Sequence, residues 1–505
     1  MIIYSQIEQL LVYAQAHLLL DDLDVIYVRN RLLDKLGLDE YVQYEVDEDK
    51  IEDMTCPDEV LNPIVDYAIA NGIITEADRE KFGNDVMDMV SLRPSEVVDM
   101  FDSLYETSPA KAFDWLHDYG IKNDYIKATK IARNKHWEAK STKGKLEITI
   151  NLSKPEKNNK DTAKLLTAKK SSYPSCMICA ENEGYAGHGV FRQNLRTIPL
   201  TLGGEEWFWQ FSPYAYFNQH GIAINREHTP MKVVPQTIVK LLDFVDYNPN
   251  YFIGCNAALP IVGGSILTHD HFQGGLKLLP MHKAPVLTAF RSKEYPYVNI
   301  GILDWYNSVI RLTSDSRKTL EELAGKIVEA WKTYSDENVG VIANDGEPHN
   351  AITPIARKAD GKYVVELILR NNRTSEEYPD GIFHVHPENQ NIKSEAIGLI
   401  EAMGLFILPA RLDRQLAEVE QYVSRAVKYN GVDSLADDMK IHAPMIEKLM
   451  KENGKCSAVE ATLAVKDEIN RVCEDILDNT AVFKKDEAGY AAFVRFLASL
   501  GIEEK

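Results

Sequence analysis

Hydrophobic positions recur every three or four residues through the first part of the chain, as in Ile7, Leu10, Leu11 and Ala14. This spacing places apolar side chains on one face of a helix and polar side chains on the other. The pattern predicts a helical N-terminal region, residues 1–144. Its first segment reads as an amphipathic helix, because acidic residues and glutamines interrupt the apolar run.

The pattern changes after residue 145, where apolar and polar residues alternate with a period of two, for example in 146–152, 221–225 and 363–369. Alternation of this kind is typical of strands. Residues 153–170 are polar and rich in lysine, which predicts a loop leading into a short helix. The stretches 200–275 and 340–390 are interpreted as two diverged halves of one design.

Helical periodicity returns near residue 394, where Ser394 and the acidic turn that follows predict a helix through Met403. The sequence therefore predicts an α+β fold with an antiparallel β core between helical ends. The predicted regions are 1–144, helical; 145–335, a first β half carrying the active-site strand; 336–393, a β-rich second half; and 394–505, helical.

Charge and composition narrow the classes of function. The formal net charge is −20, so the surface repels nucleic-acid backbones and anionic membranes, and neither is an expected partner. Six cysteines in 505 residues are too few for a disulfide scaffold. No stretch reaches the ~18 consecutive apolar residues of a membrane span, and no signal peptide precedes the first helix. We therefore expect a soluble, cytoplasmic protein.

The first candidate motif is a Cys-x-x-Cys pair formed by Cys176 and Cys179. Alone it fits half of a zinc site, a redox pair or two small buried hydrophobes. A zinc site needs two further ligands, and no second Cys-x-x-Cys exists, so histidines would have to complete it.

The second candidate motif places His269, His271 and Gln273 at alternate positions between two Gly-Gly pairs. The segment Ser265–Gln273 is predicted to form a strand, which would put all three side chains on one face. Buried imidazole and amide groups need polar partners, so this row favours function over packing. A neutral imidazole is a good nucleophile near pH 7, and an amide donor beside it suits nucleotidyl or phosphoryl transfer.

Together these motifs resemble those of the galactose-1-phosphate uridylyltransferases, within the histidine-triad-like superfamily. The matching segments are 176–179, Asn225-Arg-Glu-His-Thr-Pro230 and Thr268-His-Asp-His-Phe-Gln273. The motif sequences and the long helical flanks are closer to those of the second class, the UDP-glucose–hexose-1-phosphate uridylyltransferases of Gram-positive bacteria. The resemblance implies a tandem histidine-triad-like β core.

The resemblance also implies roles for individual residues. His271 would accept UMP from UDP-glucose and pass it to galactose 1-phosphate, with Gln273 bonding the α-phosphate. The resemblance implies no organic cofactor. It also implies that the protein is a homodimer. A structural zinc ion is implied at four positions: Cys176, Cys179, His228 and His269.

Substrate contacts are predicted by the same resemblance and by charge. The predicted binding residues are Asn256, Gly264, Ser265, Lys154, Lys157 and Arg196. Arg192 and Arg196 are the alternative to Lys154 and Lys157 as phosphate-binding residues. His349, His384 and His386 resemble the histidines of a second metal site in the better-known class, but no acid is clearly placed to join them, so no second metal is predicted.

Two alternatives remain open on the sequence. A histidine-triad-like nucleotide phosphorylase or hydrolase would use the same His-x-His-x-Gln strand. A non-enzymatic zinc-binding interaction protein would keep the metal cluster and form no covalent adduct.

Overall fold

The computed structural model describes residues 2–153, 173–187, 191–264 and 266–505. The chain forms two compact units. Unit 1 comprises Met1–Ala132, Lys157–Thr229 and His269–Gly275, and unit 2 comprises Arg133–Glu156, Pro230–Thr268 and Leu276–Lys505. Both units interleave along the sequence, and the region boundaries expected at 144, 335 and 393 remain predictions.

Helices form the N-terminal part of unit 1, in agreement with the sequence. Ile7, Leu10, Leu11 and Ala14 are all buried, so the apolar stripe of the first helix is its core face. The helices are α1 Ile2–Leu18, α2 Val25–Lys35, α3 Glu48–Glu52, α4 Asp58–Ala70, α5 Arg79–Met89, α6 Pro94–Thr107, α7 Pro109–Lys122 and α8 Ala128–Ile131.

Four strands of unit 1 form an antiparallel array in the order β7-β5-β4-β3. They are β3 Ile198–Leu202, β4 Glu205–Phe211, β5 Gly221–Asn225 and β7 His271–Gly275. Gly203 and Gly204, both with positive φ, make the two-residue turn between β3 and β4. Such turns need left-handed residues to match the strand twist, which explains the glycine pair.

Unit 2 contains the remaining strands and the C-terminal helices. Its strands are β1 Lys135–Ser141, β2 Gly144–Ile150, β6 Phe252–Gly254, β8 Val286–Ser292, β9 Asn299–Leu303, β10 Val309–Ser314, β11 Asn350–Ala359, β12 Lys362–Asn371, β13 Leu405–Leu408 and β14 Ile502–Glu504. Its helices are α9 Pro235–Tyr247, α10 Arg317–Thr333, α11 Leu399–Ala402, α12 Arg411–Val423, α13 Ala443–Asn453, α14 Ala458–Thr480 and α15 Glu487–Ser499.

The strands of unit 2 form two groups. Seven of them pair antiparallel in the order β14-β8-β9-β10-β12-β11-β6. The other three form a small sheet in which β2 pairs antiparallel with β1 and parallel with β13. Helices and mainly antiparallel strands together confirm the predicted α+β class.

The same strand plan occurs in both units. In unit 1 the meander β3-β4-β5 is completed by β7, which pairs with β5. In unit 2 the meander β8-β9-β10 is completed by β12, which pairs with β10. A helix lies between meander and completing strand along the sequence in each case, α9 and α10 respectively. The second set of strands begins at Val286, ahead of the stretch 340–390, so the interpretation of 200–275 and 340–390 as two diverged halves stays a prediction.

Two predicted elements are wrong in extent. The active-site strand was expected over Ser265–Gln273, but β7 begins at His271, because ladder pairing with β5 starts at His271 and Ile224. The helix expected from Ser394 to Met403 is reduced to α11, since Gly398 is extended and only four residues turn. Across the described residues, no helix is both long and apolar enough to cross a bilayer.

Candidate active site

A turn in unit 1 presents the two cysteines side by side. The backbone N–H of Cys179 donates to the Cys176 carbonyl at 3.3 Å, which closes the turn. The Asn182 amide donates to both cysteine carbonyls at 2.9 Å. The two sulfur atoms consequently lie 3.5 Å apart.

Backbone pairing in unit 1 brings two histidines to this turn. The N–H of Asn225 donates to the Asp270 carbonyl at 3.0 Å, and the N–H of Asp270 donates to the Thr229 carbonyl at 2.7 Å. These bonds hold the segment after β5 against the residues just before β7, so His228 and His269 become neighbours. Their ring centroids are 4.6 Å apart.

The two cysteines and two histidines converge on one point. Cys176 Sγ lies 3.3 Å from His269 Nδ1, and Cys179 Sγ lies 3.2 Å from His228 Nδ1. All four ligand atoms lie within 4.8 Å of one another. Bonds of about 2.0–2.3 Å to a tetrahedral zinc ion would separate the ligand atoms by about 3.3–3.8 Å, close to the spacing of the shorter contacts here.

The protonation of the cluster also suits a metal ion. His269 Nε2 lies 2.8 Å from the Asn225 carbonyl and donates to it, which leaves the lone pair of Nδ1 facing the sulfurs. Burial lowers the pKa of His269, so its ring is neutral. Burial and the adjacent Cys176 raise the pKa of the Cys179 thiol to about 12, and a bound cation would reverse this shift by stabilising the thiolate.

His271 lies two residues beyond His269, at the start of β7. Its Nδ1 donates to the His269 carbonyl at 2.8 Å, and the side chain is buried. Burial lowers the pKa of His271, so the imidazole is neutral. With the proton fixed on Nδ1, the lone pair of Nε2 is free to attack an electrophile.

Gln273 lies two residues further along β7, and strand alternation places it on the same face as His271. Its Oε1 lies 3.4 Å from Nε2 of His220, a buried residue just before β5. His220 belongs to none of the sequence motifs. Its position next to Gly221, which pairs with Gly274, is a signal that only the strand register reveals.

Two other predicted binding residues lie together in unit 2. Asn256 is buried, and its Oδ1 accepts the Leu399 N–H at 2.8 Å. A Cβ added at Gly264 would lie 2.6 Å from Asn256 Nδ2. The absence of a side chain at Gly264 therefore leaves the amide in place. Lys154, Lys157 and Ser265 lie outside the described residues.

The arginines predicted to bind phosphate have protein partners. Arg196 is buried in unit 1, where it donates to the Leu92 carbonyl at 2.7 Å and pairs with Asp88 at 2.9 Å. Arg192 donates to the Tyr125 hydroxyl at 3.1 Å. These contacts anchor both side chains among the helices, and phosphate binding by either remains a prediction.

The contacts of His349, His384 and His386 do not bring these three side chains to one point. His349 hydrogen-bonds with Asn372 and Asp345, at 2.9 and 2.6 Å. His386 stacks on Tyr378 with ring centroids 4.1 Å apart. The ring nitrogens of His384 have no hydrogen-bond partner among the described residues.

Known proteins of one family are similar to this chain over nearly its whole length. Residues 19–230 match the family model described as galactose-1-phosphate uridyl transferase, N-terminal domain, and residues 243–438 match the C-terminal domain. The galactose-1-phosphate uridylyltransferase of Caldanaerobacter subterraneus subsp. tengcongensis is 42% identical, covering 99% of this chain and 98% of that protein. The protein of the same name from Streptococcus mutans serotype c is 42% identical, covering 95% and 96%.

A solved structure was also found to be similar in part. It is a yeast Ap4A phosphorylase, 12% identical, with a TM-score of 0.32, covering 58% of this chain and 88% of that one.

Proposed function

Because the chain belongs to the galactose-1-phosphate uridyl transferase family, we propose that it moves UMP from UDP-glucose to galactose 1-phosphate through a uridylyl-His271 intermediate. The observation that carries the proposal is the Nδ1–H bond from His271 to the His269 carbonyl. This bond leaves Nε2 as the nucleophilic atom, on a face shared with Gln273.

The first half-reaction exchanges one phosphorus bond for another. Nε2 of His271 attacks the α-phosphorus of UDP-glucose, a P–N bond forms, and the P–O bond to the β-phosphate breaks to release glucose 1-phosphate. The ring gains positive charge as it is uridylylated, and the carbonyl that accepts the Nδ1–H bond stabilises that charge.

The second half-reaction runs in the opposite sense. A phosphate oxygen of galactose 1-phosphate attacks the same phosphorus, the P–N bond breaks, and UDP-galactose leaves. That oxygen is already ionised at neutral pH, so no general base is required. The amide of Gln273 would donate to a non-bridging oxygen in both steps.

We also propose that Cys176, Cys179, His228 and His269 hold a structural zinc ion. Four protein ligands would close the coordination sphere, so the ion would stabilise the local fold and would not bind substrate. Since His269 also provides the carbonyl that holds His271, the cluster would fix the direction of the nucleophile. A homodimer and a cytoplasmic location remain predictions from the resemblance.

Intact-mass measurement tests the transfer. The protein incubated with UDP-glucose alone should gain the mass of one uridylyl group and lose it when galactose 1-phosphate is added. His271→Ala should gain nothing. The control is His136→Ala, which removes an exposed histidine on β1 that hydrogen-bonds to Thr149. This variant should react as the unmodified protein does.

The alternative functions predict different outcomes of this mass measurement. An adduct that water removes as fast as galactose 1-phosphate does would indicate a hydrolase. No adduct under conditions that preserve a P–N bond, with UDP-glucose unchanged, would reject the uridylyl-histidine pathway.

A further inference from the structure

His220 is held in a fixed position one residue before β5. Its backbone carbonyl accepts the Ser212 N–H at 2.9 Å, and its own N–H donates to the Phe217 carbonyl at 3.1 Å. The ring stacks on Tyr216, with centroids 5.0 Å apart and planes inclined by 20°, and contacts Phe217 at 4.8 Å. Only 3% of the residue is exposed. Neighbouring residues of unit 1 thus define the position and the plane of the His220 ring.

The two ring nitrogens of His220 have different neighbours, and these define one tautomer. The backbone N–H of Tyr216 is directed at Nδ1, 3.5 Å away. A backbone N–H can only donate, so Nδ1 must accept and carries no proton. Burial lowers the pKa of His220 to about 4, so near pH 7 the ring holds a single proton, which is on Nε2.

That proton faces Oε1 of Gln273 at 3.4 Å. An amide oxygen accepts and an amide nitrogen donates, so only one of the two orientations of the Gln273 amide is compatible with an Nε2–H donor. In this orientation the NH2 group is turned away from His220 and keeps both donors for another acceptor. The opposite orientation would direct an amide N–H at the Nε2–H of His220.

We infer that His220 is a positioning residue that selects the amide orientation of Gln273 in which the NH2 group is presented to the α-phosphate of a nucleotide sugar. This inference rests on the proposed function, since it is that function that gives Gln273 a phosphate to bind. His220 lies outside the sequence motifs, and it acts through Gln273 without touching the substrate.

The backbone of β7 is adapted to the close approach of His220. A Cβ added at Gly275 would lie 2.4 Å from the carbonyl oxygen of Gln219, the residue before His220. The segment can therefore approach the end of β7 only because Gly275 has no side chain. Along the strands, His220 lies two positions before Ile222, the register partner of Gln273, so the two side chains are diagonal neighbours on one face.

A double-mutant cycle tests the inference. His220→Phe keeps a ring for the aromatic contacts and removes the N–H donor. We expect it to slow uridylylation of His271 by UDP-glucose by about tenfold or more, with little change in the affinity for UDP-glucose. In a Gln273→Ala background the same substitution should change the rate by less than about twofold, because there is no amide left to orient. Equal effects in both backgrounds would show that His220 is merely structural and would overturn the inference.

A matched control and a second readout complete the test. His117→Phe replaces a half-buried histidine of the same unit that contacts Phe211 and not Gln273, and it should leave the uridylylation rate unchanged. NMR of 15N-histidine-labelled protein should place the His220 proton on Nε2. A proton on Nδ1 would overturn the inference whether or not the protein transfers UMP, whereas a wild-type protein with the expected tautomer and no adduct would count against the proposed function alone.

Discussion

Gln273 lies on β7 next to the nucleophile, on the same strand face as His271. Its neutral amide is suited to an anionic neighbour because it can donate hydrogen bonds without bringing a negative charge. A carboxylate of the same size would accept the His220 bond equally well but would repel phosphate oxygens.

We therefore expect Gln273→Glu to slow formation of the UMP adduct more than Gln273→Ala does. Loss of one donor to a developing oxyanion costs about 10²–10³ in rate, and the glutamate adds repulsion to that loss. Single-turnover rates with UDP-glucose measure the order of the two variants. A Gln273→Glu protein as fast as the unmodified one would show that the amide does not contact phosphate.

A second property at the residue scale is the charge balance around Glu366. This residue on β12 is fully buried, and its carboxylate pairs with Arg311 on β10 at 2.6 Å and with Arg357 on β11 at 3.4 Å. His282 Nε2 lies 3.5 Å away. One carboxylate thus compensates two guanidinium groups inside unit 2.

Glu366→Gln should destabilise the protein by about 3–5 kcal/mol, because it leaves the buried Arg357 and the partly buried Arg311 without a counter-ion. Chemical denaturation followed by fluorescence measures the loss. The double variant Arg311→Met with Glu366→Met should recover part of the stability, since only Arg357 is then left without its counter-ion. A single variant as stable as the unmodified protein would contradict this account.

At the scale of elements, the candidate metal cluster connects three separate pieces of unit 1. The cysteine turn, the end of β5 and the start of β7 meet there, and their ligand atoms lie within 4.8 Å of one another. A bound ion would link segments that are far apart in the sequence, since Cys176 and His269 are separated by 93 positions. Metal binding at such a site stabilises the fold directly.

Cys176→Ser should therefore lower both the zinc content of the purified protein and its unfolding temperature. Elemental analysis and a thermal melt measure the two effects. Cys56→Ser is the matched control, because Cys56 is also a free, partly buried cysteine of unit 1 but lies outside the cluster. If both variants keep one equivalent of zinc, the cluster does not hold the ion.

At the scale of the whole molecule, several histidines are buried in neutral form. Burial lowers the pKa of each to about 4, and the four residues are His220, His282, His384 and His442. In the unfolded chain their pKa returns to about 6.5. Between these values the unfolded state binds more protons than the folded state, so stability must fall as the pH falls from 6.5 towards 4.

We expect the protein to unfold at a clearly lower temperature at pH 5 than at pH 7. Each of these histidines contributes a slope of up to about 1.4 kcal/mol per pH unit below 6.5. Above pH 5 most carboxylates stay ionised, so this window isolates the histidines. His442→Asn should show a smaller difference between the two pH values, and equal melting temperatures for the unmodified protein at pH 5 and 7 would contradict the prediction.

The sequence by itself determined the features that local chemistry dictates. Helical spacing predicted α1, and alternation predicted β5 and most of β12, because backbone geometry fixes these periods within a few residues. The residue types of the two motifs were sufficient to indicate nucleotidyl transfer and the family. The strand containing His271 was placed too early, because its start depends on pairing with β5, which the segment's own sequence does not encode.

Only the tertiary structure decided how these residues work together. It brought Cys176 and Cys179 to His228 and His269, which spacing alone could not show. It also fixed which nitrogen of His271 is free and revealed His220 beside Gln273. Hydrogen-bond partners and tautomers depend on atoms that are distant in the chain and adjacent in space, so they become defined only when strand register and chain topology are known.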